Sequence, residues 1–218
     1  MTKPENTTRL CLIRHGETDW NAELRLQGFT DMPLNARGKA QADALGRALS
    51  PRFFDAVISS DLLRARQTAQ PVVEGRKLTL LLTPKLRERN FGCCEGMTLD
   101  EVRVEFPEIA QALMRRYPDY APPGGESNSE HMSRVIGGIA TLAQQFPGKC
   151  IAVVFHGGSL EMVYRHVHQI PLEPVRDFPL PNASINWLLI RENDWVFESW
   201  GGTAHLGNIP LSPVLTGV

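Results

Sequence analysis

Six short apolar runs punctuate the chain, at Arg9 to Ile13, Ala56 to Ser59, Leu78 to Leu82, Ile151 to Phe155, Ile185 to Ile190 and Trp195 to Trp200. Their lengths and their polar or turn-forming borders predict strands. Most lack strict alternation of apolar and polar positions, the pattern of strands covered on both faces in a largely parallel sheet. Between them the spacing becomes helical. Ala40, Ala44, Ala48 and Leu49 mark one helix, and Leu99, Val102, Phe106, Ile109 and Leu113 mark another. From Ser127 to Gln145, Met132, Val135, Ile136, Ile139 and Leu142 recur at helical spacing, with Ser127 and Glu130 as a capping-box pair. In SSDLLRARQTA a strand ends at Ser59 or Ser60, Asp61 opens a helix and Arg64 lies one turn inside. YPDYAPPGG, Tyr117 to Gly125, predicts a loop because its prolines and glycines sustain neither kind of ladder. Alternating strand and helix implies an α/β sandwich.

A chain of 218 residues, 42% of them hydrophobic, fits one domain over 1–218 with one sizeable core. Its formal net charge of -1 gives no global field to hold a polyanion or an acidic membrane surface, so nucleic acid is not an expected partner. The four cysteines, Cys11, Cys93, Cys94 and Cys150, show no C-x-x-C spacing, and adjacent Cys93 and Cys94 suit a mutual disulfide poorly. A reduced, cytoplasmic setting is expected. The opening MTKPENTTR is polar, without the apolar core of a signal peptide, and no apolar run is long enough to span a bilayer.

The chemistry concentrates where strands end. LIRHGETDWN leaves the first strand through Arg14, His15 and Gly16, and IAVVFHGGS leaves the fourth through His156 and Gly157. Ligands of open α/β sheets bind outside the carboxyl ends of strands, so parallel neighbours would bring both histidines into one crevice. Glycine after each histidine would let the backbone turn sharply and approach a ligand. Arg64, near a helix N-terminus that favours anions, would either add a bidentate phosphate contact or form a solvated face with Arg66 and Asp61, two readings that spacing alone does not separate, and LRERNFGCCEG supplies Glu88 as a carboxylate.

These segments, RHGETDWN, QGFTDMPLNARGKAQA, SSDLLRARQTA, LRERNFGCCEG, PPGGES and VVFHGGS, run in one order along most of the chain, and with them the sequence resembles the histidine phosphatase superfamily, or phosphoglycerate mutase-like family. The resemblance implies a three-layer α/β/α sandwich around a mostly parallel central sheet, with a phosphate pocket at its carboxyl edge. It implies His15 as nucleophile, Arg14, Arg64 and His156 as the phosphate clamp, and Glu88 as proton donor. Asn21, Gln27, Gly28, Thr30 and Gly157 match positions near the substrate. The implied activity is hydrolysis of a small phosphorylated metabolite through phosphohistidine, with no metal and no cofactor.

Such chemistry fits the residue types. A phosphomonoester dianion needs fixed cations and donors, and a histidine nucleophile needs one unprotonated ring nitrogen, which neighbouring cations favour. The far nitrogen of His15 would donate to a backbone carbonyl or another acceptor. Transfer of the mutase type is the alternative: MRRYPDYAPP is similar to the double-arginine stretch with which mutases hold a substrate carboxylate, making Arg115 and Arg116 candidates beside a reading as a solvated helix end. The compact span from Arg103 to Gly125 looks more like the phosphatase branch. A phosphate-binding module without catalysis is a third reading, which His15 and Glu88 oppose. Cys-x5-Arg, D-x-D and the usual nucleotide loops are absent. His166 and His168, spaced i, i+2 on a helix, read as surface residues rather than metal ligands. A homodimer is left open.

Overall fold

The structure, a computed structural model, describes residues 7–192 and 194–213. Residues 1–6 of the polar opening stretch lie outside the described residues. Thr7–Arg14 (β1), Ala56–Ser60 (β2), Leu80–Thr83 (β3), Cys150–Phe155 (β4), Ile185–Arg191 (β5) and Asp194–Gly202 (β6) form one six-stranded sheet in the order β3-β2-β4-β1-β5-β6. The first four in that order run parallel; β5 is antiparallel to β1, and β6 to β5. The helices are Asp19–Ala22 (α1), Ala36–Leu49 (α2), Leu63–Val73 (α3), Leu99–Glu105 (α4), Pro107–Met114 (α5), Asn128–Gln145 (α6) and Gly157–His168 (α7).

The pleat sorts the core into two halves. Leu10, Leu12, Val153 and Phe155 point to one face, against Val135 and Ile139 of α6 and Leu160 and Val163 of α7. Cys11, Ile13, Ala152 and Val154 point to the other, against Leu45 of α2 and Ala65, Ala69 and Val72 of α3. The result is the α/β/α sandwich. Both faces of the central strands are dry, which is why their sequences do not alternate. Burying each of the Leu, Ile, Val and Phe side chains among them contributes about 1.5–3 kcal/mol before ordering entropy is counted, and each alanine less. A third, smaller cluster joins Leu26, Cys94, Val102, Ala110 and Leu113, and fastens α4 and α5 beside the carboxyl edge of the sheet.

Two elements depart from the sequence pattern. The apolar series from Leu99 to Leu113 is broken into α4 and α5 at Phe106, whose φ of -133° and ψ of 68° lie outside the helical region. Pro107 follows it, and proline pushes the preceding residue out of the helical region. Asp61 does not open α3. The first residue before that helix is Leu62, which has no side-chain cap, and the Asp61 carboxylate instead receives Arg87 Nε at 2.8 Å and Nη2 at 2.6 Å. In α6 the pair Ser127 and Glu130 makes the reciprocal capping box.

Candidate active site

Register builds the site. β1 and β4 are parallel neighbours with Arg14 opposite Phe155, so His15 and His156 leave the sheet in step, and His15 N–H donates to Phe155 O at 2.9 Å. Their ring centroids are 5.1 Å apart. Both rings are buried, and His15 lies on the wall of a cleft with Arg14, Arg64, Glu88, Asn21, Gln27 and Gly157.

The hydrogen bonds of the two rings differ. His15 Nδ1 lies 2.7 Å from Gly16 O. A carbonyl only accepts, so Nδ1 carries the proton and the neutral ring keeps its lone pair on Nε2. His156 Nε2 meets Ser60 Oγ at 2.8 Å, while its Nδ1 is buried without a protein partner. Burial holds both rings well below the ordinary imidazole range, and nearby arginines add to it: Arg64 and then Arg14 for His15, Arg64 for His156. Desolvation is thus the larger cause of a neutral His15, and the adjacent cation the smaller.

Arg14 spends one N–H on Leu180 O; Arg64 donates from Nη1 to Thr30 O at 2.9 Å and from Nη2 to Gly28 O at 2.7 Å. In each guanidinium Nε is buried without a protein partner. His156 Nδ1 is a third such nitrogen; the three belong to the ends of β1 and β4 and the first turn of α3, and His156 stands behind His15 rather than on the cleft wall itself. Burial lowers both arginines to about 10, which leaves them cationic at neutral pH. The helix end beside Arg64 is no anion seat, because Asp31 Oδ1 already accepts from Leu63 N–H. Thr68 Oγ1 ties the parts together, donating to Arg64 O at 2.7 Å and accepting from Gly16 N–H at 2.9 Å.

Glu88 faces the start of α7, accepting from Gly158 N–H at 2.9 Å through Oε2 and from Arg89 N–H at 2.9 Å through Oε1. Its carbonyl is held by Arg134 Nη2 of α6 at 3.0 Å. His131 Nε2 stands 3.8 Å from Glu88 Oε1 and 3.0 Å from Ser159 Oγ.

The glycines after the histidines act by closeness rather than by turning. Neither Gly16 nor Gly157 has a positive φ; a Cβ on Gly16 would lie 2.6 Å from Gly38 O, and one on Gly157 would lie 3.0 Å from Arg14 Nε. Gly28 and Thr30, expected near the substrate, turn their carbonyls to Arg64 and do not line the cleft. Arg115 is exposed outside it and bonds Tyr117 Oη at 3.1 Å. Arg116 does line the cleft, but its Nη2 is 2.6 Å from Glu161 Oε1 and its Nε donates to Leu172 O at 2.9 Å. Glu161 also receives Arg165 at 2.8 Å and Arg176 at 3.1 Å.

His131, Arg89, Arg176 and Glu161 belong to the cleft wall although the sequence patterns did not single them out. A signal existed for His131, which lies on the buried stripe of α6 with Val135, Ile139 and Leu142. His166 and His168 are exposed and pack on Trp195 and Tyr164, and among the described residues no cluster of three or more His, Cys, Asp or Glu side chains forms a metal site.

A profile of the histidine phosphatase superfamily (branch 1) matches residues 10–203. An uncharacterized phosphatase PhoE of Bacillus subtilis (strain 168) is 33% identical over 199 residues, spanning 91% of this chain and 97% of that protein. A metal-independent phosphoserine phosphatase of Arabidopsis thaliana is 33% identical over 205 residues, covering 93% of this chain and 84% of its own. The solved structure of Bacillus stearothermophilus YhfR superposes with a TM-score of 0.85 at 30% identity, over 91% of this chain and 99% of that one.

Proposed function

Because the chain belongs to the histidine phosphatase superfamily, branch 1, we propose that it hydrolyses a small phosphorylated metabolite through a phosphohistidine formed on His15 Nε2. The observation that carries this reading is the contact of His15 Nδ1 with Gly16 O at 2.7 Å, which leaves the opposite nitrogen as a nucleophile beside Arg14 and Arg64. The Nε2 lone pair attacks phosphorus as the bond to the leaving oxygen breaks. Arg14, Arg64 and His156 hold the phosphoryl oxygens, and the three buried nitrogens without protein partners are suited to that load. Protonated Glu88 gives its proton to the leaving alkoxide. Its carboxylate then takes a proton from the water that attacks phosphohistidine, releasing orthophosphate.

Hydrolysis is favoured over mutase-type transfer by the two arginines of MRRYPDYAPP. Arg115 lies outside the cleft, and Arg116 is engaged by Glu161 and Leu172. The names of the relatives, one a metal-independent phosphoserine phosphatase, support a small phosphorylated substrate and chemistry without a metal. Asn21, Gln27 and Gly157, on the cleft wall, are assigned to substrate contact. We take residues 1–218 as one domain, supported by the single sheet. A cytoplasmic setting is supported by the four free thiols, and no helix among the described residues is long and apolar enough to cross a membrane. Any homodimer would find an apolar edge at β3, where Leu81 and Leu82 are exposed.

The test is a panel of phosphomonoesters with released phosphate as readout, with and without chelator, in wild type and Glu88→Gln. Chelator is expected to leave turnover intact. Glu88→Gln is expected to slow alkyl phosphates roughly 10²–10⁴-fold and an activated aryl phosphate less, since a better leaving group needs less protonation. Equal losses on both would remove Glu88 from the acid role. Primer-dependent conversion of 3-phosphoglycerate to 2-phosphoglycerate, without free phosphate, would move the assignment to transfer.

A further inference from the structure

Arg64 is wholly buried, so its guanidinium cannot swing to meet an anion and must be aimed by what surrounds it. Two of its N–H bonds go to carbonyls of one tight turn, Gly28 O and Thr30 O. The next residue of that turn, Asp31, caps the helix that carries Arg64. One stretch of backbone thus grips both the helix and its side chain, and Arg64 is aimed only as accurately as that stretch is held.

Within the turn Thr30 N–H also reaches Gln27 O at 3.1 Å, and a carboxylate from another segment ties the turn to the rest of the molecule. Glu95 Oε1 accepts from Phe29 N–H at 2.8 Å and Phe91 N–H at 3.2 Å, while Oε2 accepts from Thr30 N–H at 2.9 Å and Thr30 Oγ at 2.6 Å. Gly28 has φ +51°, and a Cβ there would collide with the Glu95 carboxylate, so turn and carboxylate fit one another only because Gly28 has no side chain. Glu95 is not on the cleft wall.

We propose that Glu95 is a positioning residue for phosphate recognition: it fixes the Gly28 to Thr30 turn, whose carbonyls aim Arg64 at the phosphoryl group. This rests on the phosphatase reading of the site. A carboxylate is required because all four groups facing it are donors in this arrangement. Glutamine keeps one accepting oxygen and sets an NH2 at the other: in place of Oε1 it meets two backbone N–H groups that cannot accept, and in place of Oε2 only the Thr30 hydroxyl can turn to accept, which leaves the Thr30 N–H facing a donor. The turn must then shift, and displacement of a binding group by about 1 Å is enough to cost about 10²-fold.

The experiment is a double-mutant cycle read as the dissociation constant of inorganic phosphate by titration calorimetry, on wild type, Glu95→Gln, Arg64→Lys and the double variant, with thermal melts of each. Arg64→Lys keeps the charge but loses the fork that both carbonyls hold. Glu95→Gln is expected to weaken phosphate binding about 10–10²-fold, and the double variant to bind no more weakly than Arg64→Lys alone. Thr30→Val, which loses only the hydroxyl bond to Glu95, should weaken binding less and in the same direction. It replaces Glu95→Gln in the cycle if that variant does not fold. Wild-type affinity in Glu95→Gln, or a loss that adds in full to that of Arg64→Lys, overturns the inference. A wild-type protein that binds no phosphate and hydrolyses no ester overturns the phosphatase reading itself.

Discussion

His15 and His156 leave the sheet side by side by the same route, an apolar strand followed by histidine and glycine, and they share burial and a depressed protonation range. They differ in one hydrogen bond. The carbonyl of Gly16 can only accept, and so it fixes which nitrogen of His15 carries the proton. The hydroxyl of Ser60 can give or take, and so it leaves His156 able to present Nδ1–H to an anion. On the proposed function, two like motifs take unlike roles from the partner of a single ring atom: one ring would form a bond with phosphorus and the other would stabilise its oxygens.

The sharpest break of that contrast is His15→Ala, expected to abolish covalent labelling by phosphate-labelled substrate after an alkaline quench and to cost about 10⁴–10⁶-fold in turnover. Label retained on that variant would reverse the assignment. His156→Ala should still label, with turnover reduced roughly 10²–10³-fold, the cost of losing one preorganised donor. Stability should follow the neutrality of the rings. His15, His131 and His156 are all held well below the ordinary value of 6.5, so below about pH 6.5 the unfolded chain takes up protons that the folded chain refuses. Stability is fully present above that pH and is lost as pH falls toward the folded values, by up to about 1.4 kcal/mol per pH unit for each ring. Urea midpoints between pH 7 and 5 measure this; His131→Asn should flatten the slope, and an unchanged slope would remove His131 from the set. Ser60→Ala should cost His156 its partner and turnover about 2–10-fold, with no loss of labelling. Least of all, Arg115→Ala should leave kcat/KM within about twofold, because its side chain is outside the cleft.

What could be read from the sequence was what local physics fixes. The six strands are short runs bounded by turn formers, and the missing alternation of the central ones announced strands covered on both faces, while β3 and β6 at the edges stay partly exposed. The capping box of Ser127 and Glu130 is a four-residue signature that needs no distant partner. His15 and His156 stood out because strand ends are where open α/β sheets gather ligands, and the register of β1 with β4 brings them together. What escaped depends on groups far apart in the chain. Asp31 caps α3 from 32 positions away, and no spacing rule reaches that far. Gly16 and Gly157 are required by Gly38 and Arg14, neighbours only after folding. Arg116 resembles a substrate ligand in sequence, yet its partner Glu161 is 45 positions on. His131 was legible in principle, since a polar residue on a buried stripe is costly unless it is paired.

The place of β1 in the sheet has a consequence for how the molecule is made. It is synthesised before the other five strands, but both of its neighbours, Cys150–Phe155 and Ile185–Arg191, follow more than 130 residues later. While the ribosome works through the intervening helices, an apolar segment ending in Arg14 and His15 waits without a strand on either flank. Contacts so distant in sequence are slow to form and leave nascent surface exposed to self-association. Stalled polypeptides that stop short of β4 would carry His15 without its pocket, and quality control would meet them as sticky, unfinished fragments.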